Sequence, residues 1–285
     1  MRINNRQSIK NDPLKGNSEA DDLLYKDIVK SRRKQGKWQE VWGRSTHYKD
    51  RHHTKQWYST DSRYNFEVNK RVAKSRELLE HNGWLDKDNK ITYEFNEHGF
   101  RSRSFKEKCK VLFNGCSQTM GIGLPLHMTW SGKVAEHLDV PYHSIACSGA
   151  DWQHVCQRSM YWIPKLKPEL MILREPPLPR FNWWDQETVV STAQLTGDEL
   201  LKCKIKESRP LVDIVSDNNS LWYQYSMRML IEKVCEEYGV KLLVMSNESV
   251  SKESTDVYDK DYARDLSHHG PLQQEWFFKK VIKKL

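Results

Sequence analysis

The sequence predicts an α/β fold with a mainly parallel sheet over its C-terminal two-thirds, and three observations carry that expectation. From Lys110 onward, short apolar runs alternate with helical stretches, the pattern of crossover units whose helices cover both faces of a parallel sheet. Hydrophobic residues make up 38% and charged residues 29% of the 285, enough apolar material for a packed core and too much for wholesale disorder. No apolar run approaches the ~18 residues of a membrane-spanning helix. The opening MRINNRQSIKNDPLK also lacks the apolar stretch of a secretory signal. The chain therefore reads as soluble, without a membrane span, and cytoplasmic or virion-associated.

Taken in order, residues 1–20 are polar, with no period that buries a face, and read as a flexible start. From Asp21 to Tyr64 the pattern is mixed helix and loop. Phe66, Val68, Val72, Leu78 and Leu79 share one helical side, so residues 66–82 read as one amphipathic helix stopped by Asn82-Gly83. KITYEFNEHGFRS reads as a short strand or hairpin arm ending at Gly99. The strands then expected are VLFNG, YHSIAC, ELMIL and VKLLVM. The helices expected are GKVAEHL, a stretch through Tyr161, SLWYQYSMRMLIEKVCEEYG and PLQQEWFFKKVIKKL. Residues 175–215 form an aromatic, proline-bearing insertion at a strand's C-terminal edge, a place where ligand sites commonly form.

Charge is uneven. Residues 1–110 hold 26 Lys and Arg against 16 Asp and Glu, whereas residues 111–285 hold 20 against 22. Trp38, Trp42, Trp57 and Tyr58 lie among Arg51, Lys55 and the SRRKQGK run, a mixture suited to a polyanion or to a solvated basic surface whose aromatics pack inward. Six cysteines stand at 109, 116, 147, 156, 203 and 235, with no Cys-x-x-Cys pair. A reducing compartment is the simpler reading. Neither they nor His47, His52 and His53 show a metal-ligand spacing.

Two segments carry chemistry. In Lys110–Pro125 an apolar strand runs into Gly115, and Ser117 follows at the strand's C-terminal end, with glycines at 121 and 123 allowing tight turns. Near the other end, Asp265 precedes His268 by three residues. That spacing lets a carboxylate orient an imidazole whose second nitrogen takes a serine proton. His269 is a rival base and Cys116 a rival nucleophile. Trp183-Trp184, Met227 and Met229 read as structural.

Together these segments resemble the SGNH hydrolase family, the GDSL esterases and lipases, over roughly residues 91–285. VLFNG with Cys-Ser-Gln-Thr is similar to the family's first block, with Cys116 where Asp is usual. FNEHGFRS resembles the Asn, Gly-Phe-Arg lead-in, VPYHSIACSGA the second block, and Asp265-x-x-His268 the last. The resemblance implies a three-layer α/β/α sandwich of about five mainly parallel strands in flavodoxin-like order. A basic, Trp-rich, α-rich arm over 1–90 precedes the hydrolase-like domain of 91–285. It implies Ser117 as nucleophile, Asp265 and His268 as its partners, and the backbone N–H groups of Ser117 and Gly149 as an oxyanion hole. No metal or organic cofactor is implied. The family's third block usually ends in Gly-x-Asn, but here ELMIL runs into Arg174-Glu175-Pro176-Pro177. Losing one oxyanion donor costs ~100–1,000-fold in turnover. Arg174 and Asn182 stand as substitute or substrate-binding donors.

The expected function is a serine-dependent ester hydrolase acting on an ester substrate, an acylated carbohydrate among the candidates. The alternative is a non-catalytic binding or structural protein, for example phage-associated, that keeps the fold. In that reading the basic arm attaches it to a polyanion or a larger assembly. Nucleic-acid binding by the arm is a third reading and predicts a steep salt dependence.

Overall fold

In a computed structural model, the described residues are 43, 45, 50–86, 90–177, 182–185, 188–191, 217–246 and 260–285. Near their start β1 (Thr54–Lys55) lies antiparallel to β2 (Tyr93–Glu94). Between them stand α1 (Arg63–Arg71) and α2 (Ala73–His81). The single helix expected over 66–82 is thus two. Val72, a β-branched residue of modest helix propensity, adopts extended backbone (φ −91°, ψ 118°) and caps both. Both halves pack on one core: Leu79 is fully buried in it, and half-buried Phe66, 5.4 Å from Trp57 between ring centroids, packs against it.

The parallel sheet comes next. β3 (Val111–Asn114) leads through α3 (Ser117–Met120) to α4 (Trp130–Leu138) and β4 (Tyr142–Ser144). Then come α5 (Trp152–Leu166) and β5 (Leu170–Arg174), and after them the antiparallel pair β6 (Asn182–Asp185) and β7 (Thr188–Ser191). The chain closes with α6 (Asp217–Tyr238), β8 (Lys241–Met245) and α7 (Pro271–Lys284). Strand order is β4-β3-β5-β8, every pair parallel, with Val111 opposite both Tyr142 and Leu170, and Leu170 opposite Lys241. Among the described residues this sheet has four strands, against the five expected. Chain order reverses between β3 and β5, and the carboxyl ends of strands at such a switch point are where open α/β sheets commonly form ligand sites.

Side-chain alternation along the strands builds two layers. Leu112, Met171 and Leu173 pack with Trp152, Val155 and Ile163 of α5 and Ile231 and Cys235 of α6. Val111, Phe113, Ile172 and Met245 face the other way, onto Trp130 and Val134 of α4 and Phe277 and Val281 of α7. Each fully buried Leu, Ile, Val or Phe contributes about 1.5–3 kcal/mol relative to exposure, so these layers dominate the fold's stability. The helices begin where capping chemistry dictates. Thr129 accepts from the Gly132 N–H ahead of α4, Asp151 accepts from His154 N–H ahead of α5, and Pro271 follows Gly270 at the start of α7.

A third cluster joins Tyr58, Leu79, Trp84, Ile91 and Tyr93 to Met120, Ile122, Leu124 and Ala263. The segment before the sheet therefore packs onto the loops at its carboxyl edge. Residues Trp42–Leu285 cluster as one compact unit, so 50–86, expected in the arm, belong with the sheet. Tyr58 is buried and Trp57 lies under the Arg264 guanidinium at 4.0 Å, so these two aromatics pack inward. The other arm residues, Trp38, Trp42 and the 31–37 basic run, lie outside the described residues, as do Cys203, His47 and most of 175–215. Among the described residues no helix is long and apolar enough to cross a membrane.

Candidate active site

Ser117 is placed by the end of β3. Asn114 turns its amide into the α5 layer, donating to Val155 O (2.9 Å) and Ser159 Oγ (3.0 Å), while its Oδ1 accepts from Gly115 N–H (2.8 Å). The chain then enters α3 with Ser117 as its first residue, 6% exposed. The FNEHGFRS segment clamps the turns on the far side of α3. Buried Arg101 donates to four carbonyls, those of Met120, Gly121, Leu124 and Thr92, at 2.7–3.2 Å. Asn96 Oδ1 accepts from His98 and Phe100 N–H, which shapes the turn that delivers this arginine. Burial lowers the Arg101 guanidinium to about 10, against the pull of Tyr93 and Asp61.

The second loop, after β4, hydrogen-bonds beside the Gly115 turn through Cys147 N–H to Gly115 O (3.3 Å). It carries Gly149 at φ 72°, a left-handed conformation natural to glycine. The last loop folds back on itself: Ala263 N–H donates to His268 O and Tyr262 bridges His269. It docks on the Ser117 loop by Arg264 N–H to Gly123 O (3.0 Å). Gly123 sits at φ 75°, and a Cβ there would stand 2.8 Å from Ala263 Cβ and 3.2 Å from Asp265 N. Only glycine permits that approach.

Asp265 and His268 are joined directly. Asp265 Oδ2 accepts from His268 Nδ1 at 2.6 Å, and Oδ1 accepts from the backbone N–H groups of Ser267 and His268, both at 3.1 Å. Since a carboxylate only accepts, His268 carries its proton on Nδ1 and presents Nε2 as the acceptor. Burial alone would raise the Asp265 carboxyl. The His268 hydrogen bond and charge, the Thr60 hydroxyl and the Ser267 N–H outweigh it and hold the carboxyl below its ordinary value. Among the described hydrogen bonds none joins Ser117 Oγ to His268. The Gly123–Arg264 contact is what brings their two loops together.

Arg174 ends β5. It is 2% exposed, its guanidinium lies 4.1 Å from the Phe277 ring centroid, and Nη2 donates to His269 Nδ1 at 3.4 Å. Its Nε and Nη1 have no hydrogen-bond partner among the described residues. Burial lowers it to about 10. A guanidinium cannot accept, so His269 is held neutral with its proton on Nε2. Burial, then Arg174 and His268, push His269 down to about 3. As a neutral donor His269 is unsuited to the rival base role. Cys116 is buried in the α5-side cluster, packed as a small apolar residue. The backbone of Asn182 opens β6, but its side chain lies outside the described residues, as do those of Trp183 and Trp184.

Sequence reasoning misses Thr60, whose hydroxyl donates to Asp265 Oδ2 (2.5 Å). It also misses Asp61, which takes two donors from Arg264 (2.8 and 2.7 Å) and one from Tyr93 OH (2.6 Å). A second buried carboxylate–imidazole pair, Asp151 with His154 Nδ1 at 2.8 Å, stands shortly after Gly149. The five described cysteines are free thiols. Among the described residues no three His, Cys, Asp or Glu side chains gather to hold a metal. No model of a known protein family matches the chain, and no curated protein matches it.

Proposed function

We propose that this chain is a serine-dependent ester hydrolase of the SGNH type, releasing short acyl groups such as O-acetyl from a carbohydrate. The observation that carries the reading is the 2.6 Å Asp265–His268 hydrogen bond, on a loop docked against the turn that follows α3, the short helix that Ser117 begins. His268 Nε2 takes the Ser117 hydroxyl proton as Oγ attacks the ester carbonyl carbon, and Asp265 stabilises the imidazolium that forms. The backbone N–H groups of Ser117 and Gly149 receive the oxyanion. Collapse breaks the bond to the alcohol, which leaves with the proton from His268. Water, deprotonated by the same nitrogen, then frees the acid and restores the serine. Catalytic hydrogen bonds in unliganded enzymes are often long and tighten with substrate, and a Ser117–His268 hydrogen bond is expected to form in that way.

Hydrolysis of p-nitrophenyl acetate and of acetylated sugars tests the reading. Ser117→Ala and His268→Gln are each expected to lower kcat/KM by about a thousandfold or more. Equal activity in parent and variants would remove it. One observation favours a second reading: Arg174, not Asn, ends β5, with its guanidinium stacked against Phe277. On that reading the chain is a binding or structural protein that retains the fold, and no ester is turned over.

A further inference from the structure

Residues Tyr58–Asp61 form a tight turn, Tyr58 and Asp61 exchanging both backbone hydrogen bonds (2.8 and 3.1 Å). Its three last residues each grip a loop of the candidate site. Ser59 Oγ meets Ser148 Oγ at 3.1 Å, next to Gly149. Thr60 Oγ1 donates to Asp265 Oδ2, and Asp61 holds Arg264 through two bonds. Ser59 takes φ 57°, a left-handed conformation that a serine adopts only under constraint from its surroundings. The two contacts of Thr60 and Asp61 fall on successive residues of the acid's own loop, so the turn fixes both the position and the rotation of that loop.

The carboxylate's four hydrogen bonds divide two and two between its oxygens, but their donors differ in origin. Oδ1 is filled by backbone N–H groups of its own loop, bonds that travel with the loop wherever it moves. Oδ2 is shared by the imidazole and by a hydroxyl 205 residues away in sequence. Among the described hydrogen bonds the hydroxyl is therefore the one donor that ties the carboxylate plane to a different part of the fold. We propose that Thr60 is a positioning residue for the Asp265–His268 pair, supplied by the segment before the sheet and fixing the carboxylate plane that aims the imidazole. The inference rests on the reading of Asp265 and His268 as the charge-bearing pair of a hydrolase. Thr60 acts through Asp265 and touches no substrate. Its hydroxyl also draws charge from Oδ2, so its loss makes the carboxylate more basic and moves the acid limb of reactivity to higher pH.

The test compares the full chain with Thr60→Val, which keeps the shape without the hydroxyl, and Thr60→Ser, which restores the donor. Two readouts are used. The first is the low-field proton resonance of the shared His268 Nδ1–H, assigned by its loss in His268→Gln. The second is the rate of fluorophosphonate labelling as a function of pH. Thr60→Val is expected to shift or broaden the resonance, to slow labelling by about 10- to 100-fold, and to move its acid limb upward. Thr60→Ser is expected to return all three toward the parent. An unchanged resonance and an unchanged pH profile in Thr60→Val would overturn the proposal, as would a Thr60→Ser variant that behaves like Thr60→Val. Absence of labelling in the parent would count against the hydrolase reading alone, because the resonance still reports on Thr60.

Discussion

Arg174 and His269 form the least ordinary pair of residues in the molecule. A buried guanidinium faces a ring and an imidazole, and among the described residues no carboxylate pairs with it. His269 is consequently neutral when folded, with a proton affinity far below its ordinary 6.5. Between about 6.5 and about 3 the unfolded chain binds a proton that the folded chain refuses. Stability should therefore fall as pH drops through that window, by at most about 1.4 kcal/mol per pH unit for this one group. His269→Gln, which puts a polar amide in place of the ring and does not titrate, should flatten the dependence of the urea midpoint on pH. An equally steep dependence in the variant would contradict the assignment. Asp265 works in a lower range. Its carboxyl is depressed, so the stability it contributes is present above the unfolded carboxylate range and is lost as pH falls through its folded value. The Asp265–His268 pair is legible in the sequence because its partners lie three residues apart. Thr60 is not, since nothing local distinguishes a threonine in a Tyr-Ser-Thr-Asp turn from any other.

At the scale of elements, the strands VLFN, LMILR and KLLVM and the helices between them are readable because buried parallel strands are nearly continuous apolar runs. β2 falls within the short strand expected in KITYEFNEHGFRS, but its partner β1 escapes, being two residues long and separated from it by two helices. The division at Val72 escapes as well, because periodicity continues across it while the backbone does not. The lead-in FNEHGFRS stands out as a motif, yet its physical purpose emerges only in three dimensions, as Arg101 filling four carbonyls of two loops. Arg101→Leu strands those acceptors in a buried place and is expected to cost about 3 kcal/mol or more in urea denaturation. A loss below about 1 kcal/mol would show that the clamp is dispensable. Gly123→Ala should act more selectively. It presses a methyl against Ala263 and the N–H of Arg264, so it is expected to slow reaction at Ser117 more than it lowers stability.

For the whole molecule, composition suggests a basic arm before residue 91, and the charge asymmetry behind that expectation is real. Packing draws a different line. Tyr58, Leu79 and Trp84 share a core with Ile122, Leu124 and Ala263, and compactness separates Met1–Val41 from Trp42–Leu285. A chain starting at Trp42 should fold cooperatively with a melting midpoint close to the parent's. One starting at Ile91 lacks Tyr58, Thr60, Asp61, Leu79 and Trp84 and should melt far lower or fail to fold. Equal midpoints for the two truncations would restore the boundary at 90. The strand order places the turn bearing Ser117 and the end of β5 on adjacent strands at the switch of chain direction, and the segment before the sheet supplies Thr60 and Asp61 over that edge. The measurement that bears most directly on the whole is mass spectrometry of the chain after exposure to a fluorophosphonate. We expect a single adduct on the peptide containing Ser117, abolished in Ser117→Ala and strongly reduced in His268→Gln. An adduct that persists in Ser117→Ala, or a parent chain that takes up none, would contradict a hydroxyl activated by the Asp265–His268 pair.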